Sequence, residues 1–426
     1  VNGNDGWTGL DIDHPWQTIN KVNGYSFSPT NQLNFNCGDS WAERLYPAVS
    51  GTAGSPIAVN MYGTGASPIW DASTSIANAF NVNGKSYWTL RNIDLRGGTS
   101  YTAMINTAGI NLYNCNIQGN NSSAANGVSI FSGGSSIVID NCTFLNHKCL
   151  ESGGAGLFVS NGQYITLTNN ILHNNGTDIY DHGIYATSCS HIDIRYNTSY
   201  SNTGHGIQVQ DYTNNGWIDS NYCYSNAYYG IFVGILNEDN YCKITNNLAV
   251  GNTNTGIYCG TTAPDLLVAF NTIVNNGASG TGNGLHIGEH GCTVKNNIVF
   301  QDASVVGNCR PLRFQDDDVL AGGAVFNNNL YYYTSITDYN STTVKIVSRT
   351  SAAAGYTFTE WKALAAAPDA NGVYGDPNFV ADYTNLHLGA GSPASNAGVA
   401  VAGISYDKDS VSRADPPDIG CYEYVA

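Results

Sequence analysis

Seven asparagines set the frame of this chain. Asn170, Asn197, Asn221, Asn247, Asn271, Asn297 and Asn329 each end an apolar-alternating run, and their successive spacings are 27, 24, 26, 24, 26 and 32 residues. A repeat in this range is the mark of a solenoid, in which one small unit stacks on the next. After each Asn and a turn comes Gly-Ile-x-Val or a close variant: Gly183-Ile184-Tyr185-Ala186, Gly206-Ile207-Gln208-Val209, Gly230-Ile231-Phe232-Val233, Gly256-Ile257-Tyr258-Cys259 and Gly284-Leu285-His286-Ile287. Apolar residues there alternate with polar or aromatic ones, the period of a strand with one buried face. Each unit is too short for a pair of helices and lacks a Leu-rich horseshoe pattern. The pattern specifies an all-β chain, a single-stranded right-handed parallel β-helix of about ten or more coils with a cap at each end.

Composition agrees: 48 Gly, 28 Tyr and 11% charged residues suit short strands joined by tight turns. A continuous repeat allows one elongated domain over residues 1–426, with 1–40 as an N-terminal cap, 41–340 as the main coils, and 341–426 as an irregular excursion, last coils and a C-terminal cap. The stretch Phe358 to Ala366 carries enough helical character for one short helix. The formal charge of −16 includes only 16 Lys and Arg, spread thinly, so the basic footprint that nucleic acid requires is missing. An anionic glycan would also be repelled at long range, and binding one calls for a local basic patch or a bound cation. Eleven cysteines without a Cys-x-x-Cys pair argue against a zinc framework. Cys115 and Cys142 fall at equivalent places in consecutive units, where a disulfide is one option and buried wall residues the other. No apolar run is long enough to span a membrane. The expectation is a secreted, monomeric protein.

The units Ile165-Thr166-Leu167-Thr168-Asn169-Asn170-Ile171, Trp217-Ile218-Asp219-Ser220-Asn221-Tyr222 and Cys242-Lys243-Ile244-Thr245-Asn246-Asn247-Leu248, each followed by a Gly-Ile strand, resemble the pectate-lyase-like right-handed β-helix superfamily of secreted carbohydrate-active proteins. The opening turn Gly3-Asn4-Asp5-Gly6 with Pro15-Trp16-Gln17-Thr18-Ile19, and the closing Asp418-Ile419-Gly420-Cys421, are similar to the ends of such proteins. The resemblance implies a polysaccharide substrate and, for many members, lyase activity on pectin or alginate. It identifies a scaffold more sharply than a reaction. The Arg/Lys and Ca²⁺ constellation of pectate lyases is not recognisable here. Thr203-Gly204-His205-Gly206 contains the Gly-His-Gly triplet of β-helix polygalacturonases, without their Asp-Asp signature beside it.

Since a β-helix interior is packed, function falls to the residues that point outward: the one before Gly, the x, and the one after Val. Down the coils these include Phe158; His182 and Tyr185; His205, Gln208 and Gln210; Tyr229 and Phe232; Tyr258; and His286, with Arg313 continuing the column. Aromatic faces stack on sugars, and Gln and His address hydroxyls. The same residues would also suit an ordinary solvated sheet face. The densest titratable set is Asp178, Tyr180, Asp181, His182 and Tyr185, with His205, Gln208, Gln210 and Asp211 one coil on and Lys148 and Glu151 one coil back. Strand spacing would make His182 and His205 neighbours.

Two reactions fit this set. In β-elimination on a uronic-acid glycan of alginate or pectin type, His182 or Lys148 serves as base, Tyr185 as acid or second base, and Gln208, His205 or Lys148 neutralises the carboxylate. In glycoside hydrolysis, Asp178 and Asp181 form a carboxylate pair, with Asp211 or Glu151 as a third member. The lyase stands slightly ahead, and a non-catalytic glycan-binding β-helix is the third alternative. No metal ligand set is assigned. His286 with Glu289 and His290, and the loop acids Asp316-Asp317-Asp318 and Glu238-Asp239, leave Ca²⁺ open as the only cofactor to weigh.

Overall fold

The computed structural model describes residues 3–425 except 74, 120–125, 149–153, 235–240, 261–264, 281, 289–290, 307–308, 315–317, 335–344, 350–354 and 382. Its packing resolves into two units, Val1–Ile192 and Asp193–Ala426. The expected all-β solenoid is present, with three parallel sheets and little helix. No helix among the described residues is long and apolar enough to cross a membrane.

In the first unit, each coil after the first contributes one strand to each of three sheets. The first sheet runs from Gln32–Asn36 to Gln163–Thr168, the second from Ser40–Trp41 to Ile171–His173, and the third from Phe80–Asn81 to His182–Thr187. Pairing is parallel and sets like on like, as in Ile137↔Ile165 and Leu157↔Ile184. These columns are fully buried. A helix, Ile19–Asn23, with Thr18 as its N-cap, buries Ile19 and Val22 over the first coil. The turn before it is held by Asp5, whose carboxylate accepts from Gln17 N, Thr18 N and Thr18 Oγ1.

The second unit repeats the plan and shows why Asn is required. Its third sheet is Ile207–Gln210, Ile231–Gly234, Ile257–Gly260, Leu285–Ile287, Leu312–Phe314 and Val347–Arg349. The residues before the ladder asparagines, Tyr196, Ser220, Asn246, Phe270, Asn296 and Asn328, have φ between 54° and 59°. A left-handed residue turns the chain sharply and leaves backbone groups of the corner facing the interior, where they need partners. The Asn side chain supplies them. Asn221 Nδ2 donates to Asn247 Oδ1 at 3.0 Å and to Ile194 O at 2.8 Å, while Asn247 Oδ1 also accepts from Asn221 N. Asn197, Asn247, Asn271 and Asn297 repeat the side-chain bond to the next rung at 2.9 to 3.0 Å. The ladder ends on Asp369, which accepts from Asn329 Nδ2 at 2.8 Å and from Tyr331 OH at 2.6 Å.

A second ladder runs through Asn202, Asn226, Asn252 and Asn276, again after left-handed residues, and closes on Gln301. In the first unit Cys115 and Cys142 occupy the ladder position. They do stack, but both thiols are free. Cys142 Sγ accepts Cys115 N at 3.4 Å, and each thiol lies 3.4 Å from the carbonyl two residues before it. A disulfide is therefore not formed; the sulfurs take the partner role that Asn has elsewhere.

The short helix is Phe358–Lys362, with a capping box between Thr357 and Glu360 and a fully buried Trp361. Residues 397–423 return along the coils of the second unit and fasten onto the left-handed corners. Asn296 and Asn328 bond Val399 and Ala397, Lys408 Nζ donates to Ser220 O at 2.6 Å, and Arg413 bonds Asn246 and lies 3.7 Å over the Phe270 ring. The Arg413–Glu423 pair, 2.7 Å, is almost fully buried. A mid-ladder substitution, Asn247→Leu, keeps the branched shape and the number of side-chain heavy atoms but strands the amide of Asn221 and the Ile218 carbonyl. We expect it to lower the unfolding free energy by about 3 kcal/mol, measured as a shift of the urea midpoint against wild type.

Candidate functional site

The third sheet of the second unit brings two outward rows into register. Between the buried column Ile207↔Ile231↔Ile257↔Leu285↔Leu312↔Val347 lies the x row, Gln208, Phe232, Tyr258, His286, Arg313 and Ser348. Beside it run the residues that enter each strand, His205, Tyr229, Thr255, Asn283 and Arg310. These are tied by bonds from the following glycine amide to the next coil's carbonyl, such as Gly230 N to Thr255 O and Gly284 N to Arg310 O.

The rows are half-buried or buried rather than open to solvent: His205 and Gln208 are each 6% exposed and Asn283 is 5% exposed. Their rings face one another. His205 stacks on Tyr229 with centroids 4.7 Å apart, Tyr258 stacks on His286 at 4.2 Å, and Phe232 lies 5.3 Å from Tyr258. Phe232 leans over Gly234, where a Cβ would fall 2.5 Å from its Cζ, so only glycine fits beneath that ring. The expected aromatic faces for sugar stacking are thus largely covered by neighbouring rings, and the row presents edges and polar atoms.

Charge is graded along the rows. At one end Gln208 Nε2 donates to Gln210 Oε1 at 2.6 Å, and Gln210 Nε2 donates to Asp211 Oδ2 at 3.0 Å. At the other stand Arg313, on the strand beside His286, and Arg310, whose guanidinium lies 4.9 Å over the Tyr333 ring. His286 Nε2 is buried and has no hydrogen-bond partner among the described residues. Burial first, and the Arg313 charge second, pull its pKa down to about 3, so the imidazole is neutral across the physiological range. Asn283 Oδ1 accepts from Ser348 Oγ at 3.2 Å and from Arg310 N at 3.3 Å, fixing the entry of that strand. Burial and the neighbouring Tyr228 hydroxyl raise the Tyr229 pKa strongly.

In the first unit the structure places Asp178, Tyr180, Asp181, His182, Tyr185, Phe158 and Lys148 as follows. Asp181 is fully buried, and its carboxylate accepts from Thr177 N at 2.7 Å, Gly154 N at 3.1 Å, Asp178 N at 3.3 Å and Thr177 Oγ1 at 3.2 Å. Desolvation raises its pKa against those bonds. Asp178 is exposed and accepts from Tyr180 N at 2.7 Å; the Tyr180 ring is exposed. His182 is 2% exposed and meets Tyr185 edge-on at 5.4 Å, and Tyr185 continues the ring series Tyr101, Phe131, Phe158. Lys148 is exposed. In the second unit His205 accepts from Tyr229 N through Nδ1 at 3.2 Å. Glu151, Glu238, Asp239, Glu289, His290, Asp316 and Asp317 lie outside the described residues, as does the side chain of Asp318. No group of three or more His, Cys, Asp or Glu among the described residues could hold a metal ion.

Arg310 escaped the sequence reading, although its signal was there: it holds the place before the strand that His205 and Tyr229 hold in earlier coils. The row as a whole defines a parallel β-helix with one cationic, imidazole-bearing end. The chain belongs to the right-handed beta helix region family, which matches residues 100–273 and 178–330, together more than half of its length. Among solved structures, the GH136 lacto-N-biosidase from Eubacterium ramulus is similar at 13% identity and a TM-score of 0.57, over 84% of this chain but 65% of that one, less than two thirds of its length. Pectate lyase Pel9A is 17% identical with a TM-score of 0.55, over 99% of this chain and 94% of its own. The A-module of the Azotobacter vinelandii mannuronan C-5 epimerase AlgE6 is 12% identical with a TM-score of 0.58, over 82% and 90%. At such identities the likeness shows the fold alone. No curated protein matches the chain.

Buried neutral histidines make acid stability testable. His147 is fully buried, its Nε2 3.0 Å from Ile117 O, and burial pulls its pKa from 6.5 to about 4. The unfolded chain takes up this proton near pH 6.5 and the folded one does not. Stability should therefore be flat above pH 6.5, fall as the pH drops toward 4, and lose about 3 kcal/mol from this group over that window. Urea midpoints at a series of pH values should show the slope, and His147→Gln should reduce it to the part that His286 contributes.

Proposed function

We propose that the protein is a carbohydrate-active β-helix enzyme that cleaves a uronic-acid glycan by β-elimination, with Tyr258, His286 and Arg313 at its centre. The observation that carries this is the neutral His286 ring, its Nε2 unpartnered among the described residues, stacked on a tyrosine and set one strand from an arginine. Elimination needs a base for the C5 proton, a cation for the carboxylate as charge moves onto it, and an acid for the leaving oxygen. His286 suits the first role, Arg313 the second and the Tyr258 hydroxyl the third.

A histidine whose pKa is held low by burial first and by the Arg313 charge second is a weak base in the free protein. Burial remains the larger cause of that low pKa, and a substrate carboxylate placed near Arg313 and His286 offsets the Arg313 part, so binding raises the proton affinity of His286 as the C5–H arrives. Arg310 and Arg313 are two cationic groups at this end of the row, where an acidic glycan would meet a chain of net charge −16. The substrate places such an enzyme outside the cell, as expected for a secreted protein.

Hydrolysis by Asp178 and Asp181 has less support, because the Asp181 carboxylate is engaged by three backbone amides and a hydroxyl, the pattern of a turn lock. His286→Gln is expected to lower kcat by at least about a thousandfold, the scale of a lost general base, and Arg313→Met to act similarly, with the fold intact by circular dichroism. Incubation with a panel of uronate and neutral glycans, following unsaturated product by ultraviolet absorbance alongside reducing ends, is the check. Reducing ends without unsaturation would make the protein a hydrolase, and neither across the panel would leave a binding protein.

A further inference from the structure

The far end of the same row carries a second recognition element, and its polarity is opposite to that of the arginine end. Asp211 is a carboxylate and only accepts, so Gln210 must turn its amide N–H toward it and offers its oxygen to Gln208. Gln208 in turn donates its N–H to that oxygen at 2.6 Å, which leaves Gln208 Oε1 as the terminal acceptor of the relay. That oxygen is buried, in a side chain only 6% exposed, and has no hydrogen-bond partner among the described residues. A buried acceptor without a donor costs about 1–3 kcal/mol, which an arriving donor recovers. Gln210, two residues on, and Phe232, paired with Gln208 on the next strand, are half-buried.

A carboxylate cannot satisfy such an oxygen; a uronate could donate only a ring hydroxyl while holding its charge near Asp211, whereas a neutral sugar donates a hydroxyl without that repulsion. Three strand spacings, about 14 Å, separate Gln208 from His286 along the register Gln208↔Phe232↔Tyr258↔His286. We propose that Gln208 is the specificity-determining residue of a neutral-sugar subsite, and that the glycan for this row is a mixed polymer in which a uronate at Arg313 is followed, a few sugars on, by a neutral sugar donating a hydroxyl to Gln208 Oε1. This rests on the lyase assignment for the uronate end only; the neutral subsite stands on the amide relay.

The test is calorimetric binding to the His286→Gln protein, which prevents turnover, using two oligosaccharides of about six sugars, one alternating uronate with neutral hexose and one all uronate, long enough to span the five coils from Gln208 to Arg313. The mixed chain should bind at least about tenfold more tightly. Gln208→Met should abolish that preference, and Gln210→Met, which frees the Gln208 amide to turn its N–H outward, should shift it toward the all-uronate chain. Equal or tighter binding of the all-uronate chain, or a preference that survives Gln208→Met in a folded protein, would overturn the proposal. Failure of the lyase assignment shows separately, as absence of unsaturated product from the wild-type protein on any uronate glycan.

Discussion

Everything in this molecule depends on how the buried corners of its coils are satisfied. A parallel β-helix must turn the chain three times per coil, and a left-handed residue at a corner sends backbone N–H and C=O groups toward a dry interior. The Asn side chain carries one acceptor and one donor group, which is what that corner lacks. It accepts the backbone and side-chain N–H of the coil on one side and donates to the next Asn and to a carbonyl. A column of such residues has a strict spacing, so it sets register as well as satisfying polar groups. In the first unit a thiol stands in at two rungs, which shows that the position requires a small group able to accept an amide, with Asn the fuller solution.

Register then creates the surface. Because like residues stack on like, one x position per coil becomes a row, and the chemistry of the row is whatever the repeat leaves free to vary. Along the second unit that variable series passes from amides through aromatic rings to an imidazole and two arginines. Burial first, and the Arg313 charge beside it, keep His286 neutral. The rings between hold one another at stacking distance, so they act as a rigid spacer between the polar ends more than as an open sugar platform. Residues 397–423 fix the opposite corners of the same coils, with a buried Arg413–Glu423 pair holding the segment down.

The scaffold was legible in the sequence because solenoid order is written as a period: the Asn column and the Gly-Ile-x-Val strands can be aligned by subtraction. The second ladder, Asn202 to Asn276, has spacings of 24, 26 and 24 and was legible in the same way, though hidden by the commoner Asn of the turns. What periodicity cannot show is anything supplied from outside the repeat. Asp369 ends a ladder from 40 residues beyond Asn329, and the clasp of 397–423 on the left-handed corners reaches back across more than a hundred residues. For the site, density of titratable residues drew attention to 178–211, yet density in a turn also describes a structural lock, as the bonds of Asp181 show. The decisive property of His286, a buried ring nitrogen next to a cation, depends on which residue stacks above and below and is invisible in a linear reading.

The central claim is that the imidazole-bearing end of this row holds a uronate. A crystal structure of the His286→Gln protein with a bound uronate-containing oligosaccharide tests it directly. The sugar carboxylate should lie within hydrogen-bonding distance of the Arg313 guanidinium, with the C5–H of that sugar facing residue 286. An oligosaccharide seated instead along Asp178 to Asp211, with Arg313 untouched, would contradict it.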